Sequence, residues 1–141
     1  MRNDCVFCAI ADGEVESSRL CEDDRVLVFM DIQPVVRGHL LVVPREHAPY
    51  LADLGADDGA AMFETGRRAA AALRESGLRC EGVNLFLADG EAAGQDVFHV
   101  HLHVIPRFKG DGFGLRFPPD YAVKGRGDLD EAAGAIREAW T

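Results

Sequence analysis

The sequence predicts an α+β domain in which an antiparallel β-sheet of about five strands carries a main helix and short terminal helices. Three observations predict it. β-Branched and apolar runs of strand length stand at 25–31, 39–43, 83–88 and 97–105. The connection between the first two is too short for a parallel crossover, so that pair is antiparallel. One long stretch, 57–76, has helical periodicity, and mixing a few strands with segregated helices defines the class. At 141 residues the chain makes a single domain, 1–141.

Pro34 and Gly38 mark a loop between the first two strands. In the helix, Asp57 or Asp58 is the expected cap, and Met62, Gly66, Ala69, Ala70 and Leu73 share a face. Gly77 falls where a C′ glycine belongs. The small residues on that face let another element come close, which makes it a plausible homodimer contact. Strand 83–88 leads into a loop rich in turn residues, Asp89 to Asp96. Its glycines at 90 and 94 suit the approach of backbone N–H groups to a phosphate. The last strand, 97–105, is expected to stop at Pro106. Asp128 with Glu131 resembles a capping box, and Leu129, Ala132, Ala133, Ile136 and Trp140 follow as a short amphipathic helix.

Charge and composition narrow the partners. The net charge is −9, with 15 Lys and Arg against 24 Asp and Glu, which disfavours nucleic acid and anionic bilayers as ligands. A small anionic ligand held by a few local donors stays compatible with that field. No apolar run reaches the roughly 18 residues of a membrane span, and the N-terminus has no signal-peptide core, so a cytoplasmic protein is expected. Cys5, Cys8, Cys21 and Cys80 are too few and too scattered for a disulfide framework, although the C-x-x-C pair Cys5 and Cys8 could hold a metal.

The chemistry concentrates in His99-Val100-His101-Leu102-His103-Val104-Ile105. In an extended segment alternate side chains share a face, so three imidazoles line one side and Val100, Leu102 and Val104 the other. Rings about 7 Å apart cannot all be charged, so at least one is expected to be neutral near pH 7. His101 has a histidine on each side, an arrangement suited to attack on an electrophile such as phosphorus.

This segment resembles the motif of the histidine triad (HIT) superfamily. The resemblance extends, in the family's order, through Phe7 to Ile10, Phe29-Met30-Asp31-Ile32, Gly38-His39-Leu40-Leu41-Val42-Val43-Pro44 and Asp89-Gly90 to Gly94-Gln95. It covers about 4–109 and leaves 110–141 as a C-terminal extension. It implies a HIT-like nucleotide hydrolase or nucleotidyl transferase acting at the α-phosphate of a nucleoside phosphoramidate, dinucleoside polyphosphate or related nucleotide. In such enzymes the middle histidine, here His101, forms a nucleotidyl-histidine intermediate. The resemblance places His103 beside the phosphate and Gln95 near the scissile bridge. It puts Phe7, Ile10, Phe29 and Ile32 around the base and Asp31 at the ribose hydroxyls. Taken without the resemblance, Asp31 is a turn former and the four apolar residues belong to the core.

Two positions depart from the family pattern. Asp96 stands where Ser or Thr is common, and a carboxylate cannot donate to a phosphate. Ala88 replaces a common Asn. Both keep open an alternative in which the chain is a nucleotide-binding regulatory or interaction module with little turnover.

Cys5, Cys8, His47 and His99 together supply two thiolates and two imidazoles, enough for a closed tetrahedral site, while the C-x-x-C alone fits ordinary thiols equally well. Zinc-bearing branches of the superfamily use the matching positions, so the resemblance implies structural Zn2+ held by these four. It also implies a homodimer. His39 reads as a structural polar residue.

Overall fold

The computed structural model describes residues 4–141. A short helix, α1 (Val6–Ala11), precedes strands β1 (Arg19–Glu22), β2 (Val26–Met30) and β3 (Leu40–Pro44). The long helix α2 (Ala56–Glu75) follows, then β4 (Gly82–Phe86), β5 (Leu102–Arg107) and a C-terminal helix α3 (Arg126–Ala139). The strands form one five-stranded sheet in the order β1-β2-β3-β5-β4, antiparallel throughout. This is the architecture expected from the sequence.

Strands β2 and β3 are continuous apolar runs because both faces of the sheet are covered. Val26, Val28, Leu40 and Val42 pack with Met62 and Leu73 of α2, and Val100, Leu102 and Val104 join them. On the opposite face Leu27, Phe29, Leu41 and Val43 pack with Phe7 and Ile10 of α1. The valine–leucine side of the histidine segment therefore belongs to the α2 core, and its imidazoles emerge on the α1 side. That division sets where any chemistry can occur.

The helix face of Met62, Gly66, Ala69, Ala70 and Leu73 packs onto the chain's own sheet rather than presenting itself to a second copy. The reason is distance. A Cβ at Gly66 would lie 2.7 Å from Leu102 Cδ2, so a glycine is what lets α2 settle against β5. Gly55, not Asp57 or Asp58, is the N-cap. The two aspartates lie in the first turn, where they complement the helix dipole, and Asp58 is held by Arg25 at 2.8 Å. Gly77 has the positive φ, 84°, of a C′ residue, as expected.

The final strand runs further than expected and starts later. Residues 97–101 lie outside the ladder, bending at 97–99, and are tied by the Val100 N–H to the Ala48 carbonyl at 2.8 Å. Pro106 does not stop β5. Pairing with β3 ends at Val104, so Pro106 sits where only β4 flanks the strand, opposite Val83, and a proline is tolerated there. The Asp128–Glu131 capping box does not form: α3 begins earlier, its N-cap is Gly125, and no side chain caps it. None of its residues is buried, and Leu129, Ile136 and Trp140 are exposed.

Candidate active site and metal centre

A cavity of about 600 Å³ opens on the α1 side of the sheet, a size suited to a nucleotide-sized ligand. Its apolar wall is the rim of the second core: Phe7 and Ile10 from α1, Phe29 from β2 and Leu41 from β3. Phe7 meets Phe29 edge-on, with ring centroids 5.6 Å apart. Ile32 also lines the cavity but is fully solvent-exposed, at 101%, so it stands as a flap at the mouth and becomes buried only if something fills the space. Asp31, His101 and His103 complete the set of expected residues that the fold gathers here.

His101 is buried at the floor of the cavity, its ring 5.0 Å from that of Phe7 and 4.9 Å from that of His103. The two imidazoles are therefore closer than ideal strand spacing allows, because only His103 lies in the regular strand. The His101 Nδ1–H donates to the His99 carbonyl at 2.8 Å. A carbonyl can only accept, so the lone pair of the neutral ring sits on Nε2. Phe7 flanks both His101 and His99, fixing the ring planes.

His103 lies 2.8 Å (Nδ1) from Nε2 of His39, which is buried, with 3% exposure. Asp31 Oδ2 is 3.5 Å from that His39 nitrogen, while its Oδ1 accepts from the Gln33 N–H at 2.8 Å. Burial, with His101 and His39 alongside, pushes the His103 pKa from 6.5 down to about 4, and burial likewise lowers that of His39 against the pull of Asp31. Between pH 6.5 and about 4 the unfolded chain takes up a proton that native His103 refuses. Native stability then falls as pH is lowered through that window and loses nothing more from this group below it. Allowing for solvent on the open side of the ring, we expect His103→Asn to remove about 1–2 kcal/mol of the acid destabilisation. Urea denaturation of wild type and variant at neutral pH and near pH 4 measures it; parallel pH profiles contradict it.

Gln95 is not in the cavity wall. Its Oε1 accepts from the Gly90 N–H at 2.8 Å and its Nε2 donates to the carbonyls of Pro49 at 2.7 Å and Val97 at 3.1 Å. The side chain is thereby a buried strut that fixes the 90–95 loop, and its amide is fully engaged. Gly94 has φ 95°, the left-handed conformation the loop needs to turn back. Asp96 lies exposed on the cavity lining, and Ala88 is buried without a polar group to offer. With Glu16 and Asp31, Asp96 makes three carboxylates on the lining, and none of the described lining residues is Lys or Arg.

Behind His101, one ligand atom from each of Cys5, Cys8, His47 and His99 falls within 4.8 Å of the others. Cys5 Sγ is 3.3 Å and Cys8 Sγ 3.6 Å from His99 Nδ1. Cys8 Sγ is 3.4 Å from His47 Nδ1, and the two Nδ1 atoms are 3.2 Å apart. Bond lengths to zinc put neighbouring ligand atoms of a tetrahedron about 3.3–3.8 Å apart, so the group has the right size. The tautomer fits as well. His99 Nε2–H donates to the Pro44 carbonyl at 2.7 Å, leaving the Nδ1 lone pair aimed at the thiols, as a metal-ligating histidine requires. Cys5 also caps α1 by accepting the Cys8 N–H, so the turn that brings the two sulfurs together is built into the C-x-x-C.

An α+β domain with a histidine-floored, nucleotide-sized cavity on one face of its sheet is the class these features define. The HIT domain family matches residues 12–110, and the chain belongs to that family. A HIT family protein of Bacillus anthracis has the same fold, with a TM-score of 0.89 and 34% identity over 99% of both chains. A zinc-bound histidine triad family protein of Mycobacterium smegmatis gives a TM-score of 0.77 at 41% identity, over 99% of this chain and 100% of that one. Among relatives with a named activity, the adenylylsulfatase HINT3 of Arabidopsis thaliana is 38% identical over 111 residues, 79% of this chain and 56% of that protein.

Several contributors to the site were not legible in the sequence. Met30, Leu41 and the 15–18 segment line the cavity, and the last of these was invisible because β1 beside it is short and mostly exposed. His39 reads as a structural residue in the sequence, although its Gly-His-Leu context and its place one strand from the triad are visible there.

Proposed function

We propose that the protein is a nucleotide hydrolase or nucleotidyl transferase that cleaves at the α-phosphate through a nucleotidyl-His101 intermediate. The observation that carries this reading is the Nδ1–H bond from His101 to the His99 carbonyl, which leaves the lone pair of the ring on Nε2, the atom available as a nucleophile. Phe7, Ile10, Phe29 and Ile32 take the base, and Asp31 accepts from the ribose hydroxyls. His101 Nε2 attacks phosphorus, a P–N bond forms, and the bond to the leaving group breaks as that group takes up a proton. Water then attacks the same phosphorus, releases the nucleoside monophosphate and gives up a proton as Nε2 recovers its lone pair. Gln95 acts at one remove, as a positioning residue for the loop that carries Asp96.

The acidic lining bears on the leaving group. Three carboxylates without an Arg or Lys oppose a polyphosphate and favour a neutral or cationic amine. Cys5, Cys8, His47 and His99 would fill all four positions of a tetrahedral Zn2+, which would then supply structure rather than Lewis-acid chemistry. It would pin α1, and with it Phe7, to the histidine segment. Homodimerisation belongs to the same reading through other surfaces than the buried α2 face; Phe63 of α2 and Leu85 of β4 are exposed apolar side chains on the α2 side of the sheet.

A panel of adenosine and guanosine phosphoramidates, dinucleoside polyphosphates and adenylyl sulfate tests the proposal. We expect turnover, with phosphoramidates of aliphatic amines preferred over dinucleoside polyphosphates. Micromolar nucleotide binding without turnover on any member would instead establish the binding-module alternative, which Asp96 and Ala88 favour.

A further inference from the structure

Three groups are linked from the 31–39 loop to the cavity lining: the Val35 N–H, His39 and His103. The Val35 N–H lies 3.0 Å from His39 Nδ1, and His39 Nε2 lies 2.8 Å from His103 Nδ1. We propose that His39 is a positioning residue that locks His103 in its Nε2–H tautomer, so that His103 always meets the bound ligand as a hydrogen-bond donor. The inference rests on the reading of the cavity as a nucleotide phosphate site.

Fixed partners decide where the proton of each ring sits. A backbone N–H can only donate, so His39 Nδ1 must accept and carries no hydrogen. The proton of the neutral ring is then on Nε2, which donates to His103 Nδ1. That nitrogen must accept in turn, and the single proton of neutral His103 is left on Nε2. Adding a proton to either ring would set two N–H groups against each other, at Val35 or between the imidazoles. Burial acts in the same direction, keeping both rings uncharged near neutrality. The charged and titratable groups facing the pair are Asp31, His101 and Asp96. Asp31 Oδ2, at 3.5 Å from His39 and 4.0 Å from His103, is too far for a hydrogen bond to either.

Asp31, His39 and His103 also have ligand atoms within 4.8 Å of one another and could be taken for a metal site. The proton count argues against it. A metal on His39 Nε2 would move the proton to Nδ1, against the Val35 N–H. The 2.8 Å between the two nitrogens is also shorter than the roughly 3.3 Å of two imidazoles sharing a tetrahedral ion.

A fixed donor has a use here. His101 presents a lone pair at Nε2, and a neighbour 4.9 Å away that presented a second lone pair would repel phosphate oxygens. A neighbour that presents N–H draws a phosphate oxygen or the leaving atom toward His101 instead.

The test is the ring nitrogen spectrum of 15N-histidine-labelled protein near pH 7, in which protonated and unprotonated ring nitrogens have distinct shifts. In wild type, His103 is expected to show a protonated Nε2 and a bare Nδ1. His39→Leu removes the donor and is expected to give a mixture of His103 tautomers. It should lower kcat on adenosine 5′-phosphoramidate about 10–100-fold with little change in KM, while His39→Gln, whose amide still donates, restores most of both. A protonated Nδ1 on His103 in wild type overturns the proposal, and that measurement needs no variant to fold. Unchanged His103 shifts in His39→Leu overturn it too, as does Zn2+ or Mn2+ shifting His39 and His103 together at micromolar concentration. If no substrate turns over, the proposed function fails while the wild-type spectrum still decides this point.

Discussion

Replacing His101 with asparagine is expected to lower kcat by about 10⁴-fold or more while leaving nucleotide affinity within a few-fold of wild type. Asparagine can still donate to the His99 carbonyl as Nδ1–H does, so the histidine segment keeps its shape. What it lacks is the Nε2 lone pair. The apolar cavity wall of Phe7, Ile10 and Phe29 is untouched, because those side chains owe their positions to the second core and not to the imidazole. Steady-state kinetics on a phosphoramidate, paired with calorimetric binding of the product monophosphate, separates the two effects. Loss of affinity in step with kcat would mean that His101 holds the ligand and does not attack it.

The second large effect is on stability. Stripping the metal with a chelator, or replacing Cys8 with serine, is expected to lower Tm by about 10–20 °C. A zinc finger unfolds outright without its ion, but this domain keeps two apolar cores, so the loss should be several kcal/mol rather than everything. It should also be local. Cys5 and Cys8 belong to the α1 end and His99 to the segment before β5, and Phe7 between them forms part of the ligand wall. Activity measured well below Tm should therefore fall through a raised KM, as the base wall loosens, more than through kcat. Purified protein with no bound zinc and with Tm indifferent to chelation would contradict the site.

The sheet was legible in the sequence because β2 and β3 are buried on both faces, which leaves unbroken apolar runs that no helix of that length would need. The main helix was legible for the usual periodic reason. Its partner was not: a stripe of small residues reads the same whether a sheet or a second subunit lies against it, and only the closeness of Leu102 to Gly66 decides. Short terminal helices were expected, but α1 could not be placed in the sequence because six residues give too little periodicity. It is held by the Cys5 cap and by Phe7 and Ile10 in the core rather than by propensity. Strand β1 was missed because its residues are mostly exposed and show no alternation.

The site divides in the same way. Alternation alone put the histidines on one side of the segment, and the fold divides them further, giving His99 to the cysteines and His101 and His103 to the cavity. What spacing could not supply was hydrogen-bond direction. The resemblance places Gln95 near the scissile bridge, and spacing could not show that three backbone partners engage its amide. His39, in contrast, gains a part only through the Val35 N–H, a contact set by the turn of the 31–39 loop.

The most direct measurement is rapid acid-free quenching of the protein during turnover of an adenosine 5′-phosphoramidate labelled at phosphorus, followed by peptide mapping. A phosphorus–nitrogen linkage survives alkali and is cleaved by acid, so it can be told from an ester. The account predicts alkali-stable, acid-labile label on the peptide containing His101, formed before product accumulates. Turnover with no protein-bound phosphorus at any time, or label on a different residue, would contradict it.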